Sequence, residues 1–522
     1  MAEKVKLADR THPLYEENLD SWDLYKASVM GGDNFINNEN LFTHRLEDST
    51  DYDERLSRAY FLNFCELIPN MINNFIFKEN IERPPLTDLE AFRKDVDRKG
   101  NSMDDFMKKA GFYSKVYGSV HIFIDLPAPT KAVKTAMDQK KENIYPYASL
   151  IYPQQLIDWS LDIDGRFNWI VMKYDHYNDL DPTKEREEFT HYKVITKEKW
   201  WIEDEDGAKA KFEDGRPSAG VNPIPGRVPI VTLYHKDTDN LIVGSSLLKD
   251  ILYINRAILN WCSCLDEQIE RQTFSQLIVP DDGSLAEESE TGGDPLHRIG
   301  TSSVWTFNAN ASHPPAFISP NVENIQTIWR IIVDHTKEIF RIAGLIGSSE
   351  DMYTSSSGKS AQMGFIGVNS TLSDAAKSLQ KAENAMSELA LAMLNKNIEE
   401  LDLVKYPDTF DLRDVSTEID AYFKILERNV SPALNKQIMK DMAKKAVPLA
   451  PIAIREEIVS EIDSGDGIVQ PVNAQGFGQE GGGDVGNPNT NLGKTFTTNN
   501  AKEKQETSHR TEDANVKNNK KV

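Results

Sequence analysis

Two stretches decide the fold of this chain: SLLKDILYINRAILNWCSCLDEQIER at residues 246–271 and NVENIQTIWRIIVDHTKEIFRIAGL at residues 321–345. Each repeats apolar side chains at the three- and four-residue spacing of an amphipathic helix. In the first stretch they are Leu248, Ile251, Leu252, Ile258, Leu259, Cys262, Leu265 and Ile269. In the second they are Ile325, Ile328, Trp329, Ile332, Thr336, Ile339, Phe340 and Ala343. The spacing predicts two long helices, with Asn321 capping the second and Gly344 ending it.

At about 1.5 Å per residue the two helices would be roughly 39 and 34 Å long, so they can pack antiparallel as one rod. A pair of helices leaves much of each apolar stripe uncovered, which predicts that other subunits cover it. The other face of the second helix is polar and mostly cationic. It carries Gln326, Arg330, Asp334, Lys337 and Arg341.

The composition is that of a soluble globular protein with room for two to four domains: 522 residues, 39% hydrophobic and 27% charged. The polar start, MAEKVKLADRTHP, predicts no signal peptide, and no apolar run is long enough to predict a membrane span. Three cysteines are too few for a disulfide framework. Cys65, Cys262 and Cys264 are interpreted as buried small apolar residues, because a two-residue spacing on a helix makes a poor metal clip.

The formal net charge of −23 disfavours tight binding to duplex DNA. Proteins that grip DNA use Lys and Arg to release counterions from the phosphates, and this surface would mostly repel them. If nucleic acid is a partner, the contact is predicted to be loose, transient or confined to a small basic stripe.

The pattern along the chain predicts an α+β protein. Residues 1–118 are predicted to be helical, with helices from Pro13 to Gly31, over 51–77 (kinked or split by Pro69), over 86–98 and over 102–117. Residues 119–245 switch to period two, with strands predicted at 120–126, 149–152, 167–175, 189–196, 199–203 and 230–234. Asp164-Gly165 and Asp206-Gly207 are predicted turns, and 214–229 a loop.

The elements after the first long helix are predicted from the positions of Gly, Pro and Ser and from composition. Short strands are expected at 276–279 and 303–307, with an acidic loop at 281–294 between them. A Gly/Ser-rich loop follows at 344–360, then a helix from 361 to about 403, a short strand at 410–412, and helices over 417–429, 431–446 and 450–463. Residues 464–522 contain few residues able to build a core, so they are predicted to be disordered.

Two motifs are candidates for chemistry. Gly358-Lys359-Ser360 resembles the end of a phosphate-binding loop, but Tyr353 stands where that motif needs glycine, so a mobile loop with one cation is the preferred interpretation. Asp162 and Asp164 could be paired carboxylates for a metal or for acid–base work. Turn chemistry explains Asp164-Gly165 equally well.

The histidines and tryptophans favour structural roles. No HxH, HExxH or GxSxG pattern occurs, and His121, His176, His191 and His235 lie at predicted strand positions. Trp159, Trp169, Trp200 and Trp201 could stack bases or sugars, but on β-rich segments they are more typical of core and cross-strand packing. No catalytic residue, metal site or cofactor is predicted.

This order of elements resembles the portal proteins of tailed bacteriophages, the head-to-tail connectors. Three phrases are similar to the family: YDERLSRAYFLNFCELIPNMINNFIF at 52–77, VGSSLLKDILYINRAILNW at 243–261 and NVENIQTIWRIIVDHTKEIFRIAGL at 321–345. The resemblance covers about residues 15–460 and rests on pattern and phrasing rather than on a catalytic signature.

The resemblance implies a portal fold with six regions. The first is a wing at 1–245, helical over 1–118 and β-rich over 119–245. A stem of two helices at 246–271 and 321–343 follows, with a small α/β clip at 272–320 between them. The remaining regions are a tunnel loop at 344–360, a wing helix and α-helical crown at 361–463, and a disordered tail at 464–522. Such proteins form a ring, usually of twelve subunits, at one capsid vertex. Double-stranded DNA passes through the ring during packaging and ejection.

The resemblance also implies partners and site residues. The partners are the terminase large subunit, head-completion or adaptor proteins, and the major capsid and scaffolding proteins; the location is the virion, after assembly in the host cytoplasm. Neither enzymatic activity nor a membrane is implied. The residues expected to make weak contacts with DNA in the channel are Arg330, Lys337, Arg341 and Lys359. Those expected to dock partners on the clip are Asp281, Asp282, Glu287, Glu288 and Glu290.

Two other functions stay open at this point. One is a metal-dependent hydrolase or nucleotidyltransferase that uses Asp162 and Asp164. The other is a cytosolic adaptor whose disordered C-terminal tail recruits partners.

Overall fold

A computed structural model describes most of the folded chain and leaves several segments out. The described residues are 5–37, 39–45, 47–78, 80–127, 144–178, 183, 185–212, 217–236, 242–272, 276–278, 316–318, 322–345, 358–396, 404–408, 410, 422–426, 428, 431–446 and 452–465. The chain divides into two compact units, Met1–Leu412 and Arg413–Val522. None of the helices within those residues is long and apolar enough to cross a membrane.

The N-terminal region is helical, as predicted. Its helices are α1 Pro13–Met30, α2 Ser49–Arg58, α3 Phe64–Ile76, α4 Glu90–Lys94 and α5 Met103–Tyr117. The α1 helix starts where His12 Nδ1 accepts a hydrogen bond from the Leu14 N–H, and it ends at Gly31, whose φ of +61° suits glycine. The α5 helix starts in a capping box formed by Ser102 and Asp105.

The helical segment predicted over 51–77 is interrupted, but not at Pro69, where a kink or split was expected. The chain breaks at 59–63 instead, and Pro69 lies inside α3 without ending it. The break is stabilised by caps, because the Asn63 side chain accepts from the Glu66 N–H and Asn255 binds the backbone on both sides of it. The helix predicted over 86–98 is also shorter than expected, since only α4 forms there.

Ten strands build three sheets, all antiparallel among the described residues. The strands are β1 Ser119–Asp125, β2 Tyr147–Ile151, β3 Leu156–Leu161, β4 Phe167–Asn178, β5 Glu187–Thr196, β6 Lys199–Asp204, β7 Ala219–Val221, β8 Ile230–Tyr234, β9 Gln276–Ile278 and β10 Ala316–Ile318. Their orders are β2-β1-β8, β3-β4-β5-β6-β7 and β10-β9. Gly165 and Gly207 occupy the predicted turns with positive φ. The β3 strand was not predicted, and β7 lies within the predicted loop at 214–229.

Three long helices follow the β-rich region: α6 Leu248–Gln272, α7 Val322–Ile342 and α8 Gly358–Met393. The first two agree with the predicted bounds within two residues. The third starts three residues earlier and ends well before the predicted position near 403, at a turn where Asn395 has φ +56°. The predicted loop at 344–360 is therefore shorter at its end, and its residues 346–357 lie outside the described chain.

One continuous core joins the helices to the three-stranded sheet in the first unit. Beside it, the start of β1 crosses the segment that leads into α6 at very close range. A Cβ atom added to Gly118 would lie 2.1 Å from the Gly244 carbonyl oxygen, and Gly118 has φ +90°. Only glycine fits at this crossing.

The second unit contains α9 Pro432–Ala446 and α10 Ile452–Ser464 among its described residues. Both match predicted helices. Lys440 Nζ lies 2.7 Å from a carboxylate oxygen of Asp463 and ties the two helices together. Within the helix predicted over 417–429, residues 422–426 are helical. The described residues do not include 411–412 of the predicted strand or 466–522 of the predicted disordered tail.

Candidate functional site

The two long helices α6 and α7 form the candidate functional element, joined at one end by a small sheet. The strands β9 and β10 pair antiparallel, with Gln276 opposite Ile318, so the end of α6 and the start of α7 lie side by side. The two helices pack along each other and therefore run in opposite directions. This confirms the predicted two-helix pair, and the short strand predicted at 276–279 is β9. The strand predicted at 303–307 lies outside the described residues.

The α6 helix is anchored where it leaves the β-rich region. Ser246 Oγ accepts from the Leu248 N–H at 2.9 Å and donates to the Val116 carbonyl at 2.6 Å. One hydroxyl thus caps α6 and binds it to the end of α5.

Asn255 is a second anchor, which was not predicted from the sequence. Its side chain is fully buried; Oδ1 accepts from the Phe64 and Cys65 N–H groups, and Nδ2 donates to the Leu62 carbonyl. These bonds satisfy backbone groups left open at the start of α3. The available signal was a lone polar residue between apolar positions of a helical stripe.

The expectation that other subunits cover the apolar stripe of α6 is wrong for most of that stripe. Seven of its eight predicted apolar residues are buried within this chain: Leu248, Ile251, Leu252, Ile258, Leu259, Cys262 and Leu265. Helices α1, α2, α3, α5 and α7 all pack against α6. Large apolar side chains that remain exposed on the pair are Tyr253 (55%), Ile269 and Trp329 (58%).

The cationic face of α7 is exposed, but each predicted cation has an acidic neighbour. Asp334 lies within 4.0 Å of Arg330 and 3.7 Å of Lys337 at helical spacing. Glu338 binds the guanidinium of Arg341, which lowers the pKa of the Glu338 carboxyl and raises that of Arg341. The face is a ladder of alternating charge rather than a basic stripe, and such surface pairs contribute little to stability.

The side chains of the other predicted site residues lie beyond the described chain. Lys359 lies in the first turn of α8, with its side chain outside the description. The clip residues Asp281, Asp282, Glu287, Glu288 and Glu290 also lie outside the described residues. Their roles stay predictions. Gly358-Lys359-Ser360 opens a helix, so the interpretation of these three residues as part of a mobile loop is wrong.

Asp162 and Asp164 do not form a carboxylate pair around an open site. Asp162 Oδ1 accepts from the N–H groups of Asp164 and Arg166, and Oδ2 lies 3.0 Å from Lys197 Nζ. The Arg166 N–H bond and Lys197 both lower the pKa of Asp162. This is turn chemistry at the β3–β4 hairpin. Within the described residues no three His, Cys, Asp or Glu side chains gather as metal ligands would.

The cysteines and histidines are embedded in packing. Cys65 and Cys262 are buried as predicted, and Cys264 is half-buried with Sγ 3.3 Å from His44 Nε2. Burial raises the pKa of Cys264. His121 is buried against Thr232, and desolvation lowers its pKa to about 3, so the imidazole stays neutral.

The tryptophans pack as predicted. Trp159 is buried and stacks on His12 at 3.9 Å, while Trp169 lies opposite Ser160 under the guanidinium of Arg10. Trp200 packs on Gly220, which leaves room because it has no side chain. Trp201 Nε1 donates to Glu203. Each of these four indoles has a packing or hydrogen-bond partner within the chain.

Comparison with known proteins gives low similarity. No family model and no curated protein matches the sequence. Among solved structures, this chain is similar to one in the virion of a native gene transfer agent particle. The TM-score is 0.36 and the identity 11%, over 70% of this chain and 84% of that chain. The chain is also similar to one in the neck of an empty particle computed with C6 symmetry, with a TM-score of 0.38 and 11% identity over 70% of this chain and 85% of that chain. A third similar chain lies in the neck of a native particle computed with C12 symmetry, with a TM-score of 0.38 and 13% identity over 74% of this chain and 90% of that chain. These TM-scores are too low to establish a common fold.

Proposed function

We propose that this chain is the subunit of a phage-type portal: a ring of about twelve copies at one capsid vertex, through which double-stranded DNA is packaged and ejected. In this proposal the wing is 1–245, the stem is α6 and α7, and the clip lies between them. The ring docks the terminase large subunit and later the head-completion or adaptor proteins, and its outer side meets capsid and scaffolding proteins. It assembles in the host cytoplasm, becomes part of the virion and is not an enzyme.

One observation carries the proposal. The α6 and α7 helices leave an α+β body as an antiparallel pair, close at the far end through β9 and β10, and lead into the long helix α8. This is the chain order of a portal subunit, which the sequence resembles from about residue 15 to 460. In the proposal this pair is the stem, and its first helix also packs against helices α1, α2, α3 and α5 of the body.

The charge of the chain suits a conduit. A channel should not hold its cargo, and a wall with few unpaired cations binds no phosphate firmly. Arg330, Lys337 and Arg341 would offer the duplex weak and easily exchanged contacts, because each already has an acidic neighbour. The net charge of −23 per subunit is in keeping with sliding rather than gripping.

The mass and shape of the purified chain test the proposal. A portal subunit forms rings of roughly 12 copies with a central opening. We expect sedimentation to show one large species and negative-stain images to show annular particles. A preparation that stays monomeric or dimeric at moderate concentration, or whose particles have no opening, would falsify the portal assignment.

The two rival functions have less support. The hydrolase needs Asp162 free to hold a metal, whereas its oxygens accept from two backbone N–H groups and pair with Lys197. Turnover with added Mg²⁺ or Mn²⁺ that disappears in Asp162→Asn would reinstate it. The adaptor remains a hypothesis about 464–522, and loss of partner binding on deletion of that tail, in a chain that forms only small oligomers, would favour it.

A further inference from the structure

An open cleft of about 470 Å³ lies between the N-terminal arm, residues 5–12, and the five-stranded sheet. The arm contributes Arg10, Thr11 and His12 to it, and the sheet contributes Asp158 and Trp169. This volume is within the range of small-ligand and peptide side-chain sites. The cleft is remote in sequence from α6 and α7, and the proposed portal function makes no use of it.

Arg10 is held rigidly at the edge of this cleft. Its Nε lies 2.6 Å from Asp158 Oδ2, and its guanidinium carbon lies 5.0 Å from the centre of the Trp169 ring. The Asp158 side chain is only 5% exposed, and its Oδ1 accepts from the Trp159 N–H at 2.9 Å. A buried carboxylate and an indole face therefore fix the plane of the guanidinium.

The outer edge of the same guanidinium is open. Its two terminal amino groups have no hydrogen-bond partner among the residues that the structure describes, and the Arg10 side chain is 54% exposed. Two parallel N–H donors on a fixed plane match the two oxygens of a carboxylate. Because the group is already oriented, little rotamer entropy is lost when it binds an acid.

The local charge favours a monoanion over a phosphate. Arg10 and Asp158 together are neutral, so the cleft offers a ligand one open donor pair and no net positive charge, which disfavours a doubly charged phosphate more than a monoanion. Phosphate sites normally combine several cations or backbone N–H groups. Trp169 and Leu161 also line the cleft, and they suit an aliphatic or aromatic group attached near the acid.

We propose that this cleft binds a peptide segment of a partner protein through a carboxylate held on Arg10, with the neighbouring apolar side chain on Trp169 and Leu161. The carboxylate can be a chain terminus or an Asp or Glu side chain. The chain carries −23 overall, so the acid is held by short-range contacts and not drawn in from a distance.

The test uses the full-length chain and three synthetic peptides in calorimetric or NMR titration. The probes are acetyl-Gly-Gly-Leu with a free C-terminus, its C-terminal amide, and acetyl-Gly-Asp-Leu-amide. We expect saturable binding of at least one acid probe and none of the amide; the acid that binds identifies the source of the carboxylate. Equal binding of acids and amide, or no saturation with either acid, would overturn the proposal.

Variants separate the site from the stability of the arm. Arg10→Gln should weaken the acid probe about tenfold or more, since it removes a charged hydrogen-bond pair. Arg10→Lys keeps a positive charge next to Asp158 but removes the two parallel N–H donors of the guanidinium. It should therefore also weaken binding of the acid probe, while the midpoint of thermal unfolding stays nearly unchanged. Lys6→Gln is the matched control, because Lys6 tethers the same arm to Asp206 at 3.4 Å outside the cleft. If Arg10→Gln and Lys6→Gln lose equal affinity for the acid probe, the loss comes from detachment of the arm, and the assigned role of Arg10 is refuted.

Discussion

Lys115 has surroundings that are unusual for a lysine. Its side chain is almost completely buried, and Nζ donates to Asn73 Oδ1 at 2.7 Å and to the Gly111 carbonyl at 2.9 Å. Among the described residues no carboxylate forms an ion pair with it. Desolvation lowers the pKa of Lys115 to about 7. Burial, and after it the charge of Lys115, lowers the pKa of His235, so the junction of α5, β8 and α6 is a poor place for positive charge.

This burial predicts a pH-dependent stability. The Lys115 pKa is lower in the folded chain than its ordinary 10.5, so the unfolded chain binds more protons between pH 7 and 10.5. Stability from this residue therefore rises with pH across that window. Relative to Lys115→Met, which cannot titrate, the wild-type chain should gain about 2 kcal/mol or more between pH 7 and pH 10.

Chemical denaturation of both proteins at several pH values measures this gain. Lys377→Met, on the exposed surface of α8, is the control and should show no such trend. A difference between wild type and Lys115→Met that stays constant over the window would mean that the buried lysine does not titrate there.

Among the elements, those with a complete local signal were predictable. The α1 helix has its Pro13 start and Gly31 stop in the sequence, and α6 and α7 carry uninterrupted apolar stripes. Their bounds came out within two residues. The break between α2 and α3 was not predictable, because it depends on Asn255, which lies far away in the sequence. The β7 strand was missed because it has three residues and pairs only with β6.

The crossing of Gly118 and Gly244 predicts a large difference between two glycine substitutions with similar backbone strain. Gly118 and Gly226 have φ of +90° and +87°, but nothing lies within 4 Å of a Cβ at Gly226. Gly226→Ala should cost about 1 kcal/mol for the left-handed conformation alone. Gly118→Ala should cost about 3 kcal/mol or more, because the Gly244 backbone must move. Thermal unfolding of both variants checks this, and equal midpoints would show that the crossing is not tight.

The charge ladder on α7 predicts the behaviour of two reversals in the proposed channel. Lys337→Glu and Arg341→Glu each place an acid beside Asp334 or Glu338, which costs the helix only about 0.5 kcal/mol. Rings should still assemble, while the rate of DNA packaging falls about twofold or more because weak phosphate contacts are lost.

Lys377→Glu on α8 makes the same charge change beside Asp374, at the same spacing, and should leave packaging unchanged. Normal packaging rates in both α7 variants would remove these residues from the channel, without deciding whether the chain forms a portal.

At the scale of the whole molecule, the position of α6 decides what assembly can use. Most of its apolar stripe is buried inside the chain, so a contact between subunits of the proposed ring would have to use the remaining exposed groups. The largest of these on the α6–α7 pair is Trp329, and exposed tryptophans are typical centres of protein interfaces. The buried and exposed apolar positions of α6 could not be told apart from the sequence, because the pattern of one helix does not show that five other helices pack against it.

Trp329→Glu should therefore weaken assembly by about 2 kcal/mol or more per contact while the single chain keeps its fold. Sedimentation over a range of concentrations measures the shift toward smaller species. Ile163→Glu is the control, since Ile163 is fully exposed at the β3–β4 turn, 101%. Undiminished rings in Trp329→Glu would place the contact elsewhere on the surface.

The anchoring of α6 has a mechanical consequence. The helix is about 37 Å long, packs against five other helices, and is fixed at its first turn to the end of α5. If the chain forms the proposed portal, a displacement of the β9–β10 end of the pair should be passed along α6 to its anchored first turn. From there it would reach the crossing of Gly118 and Gly244 and the central strand β1.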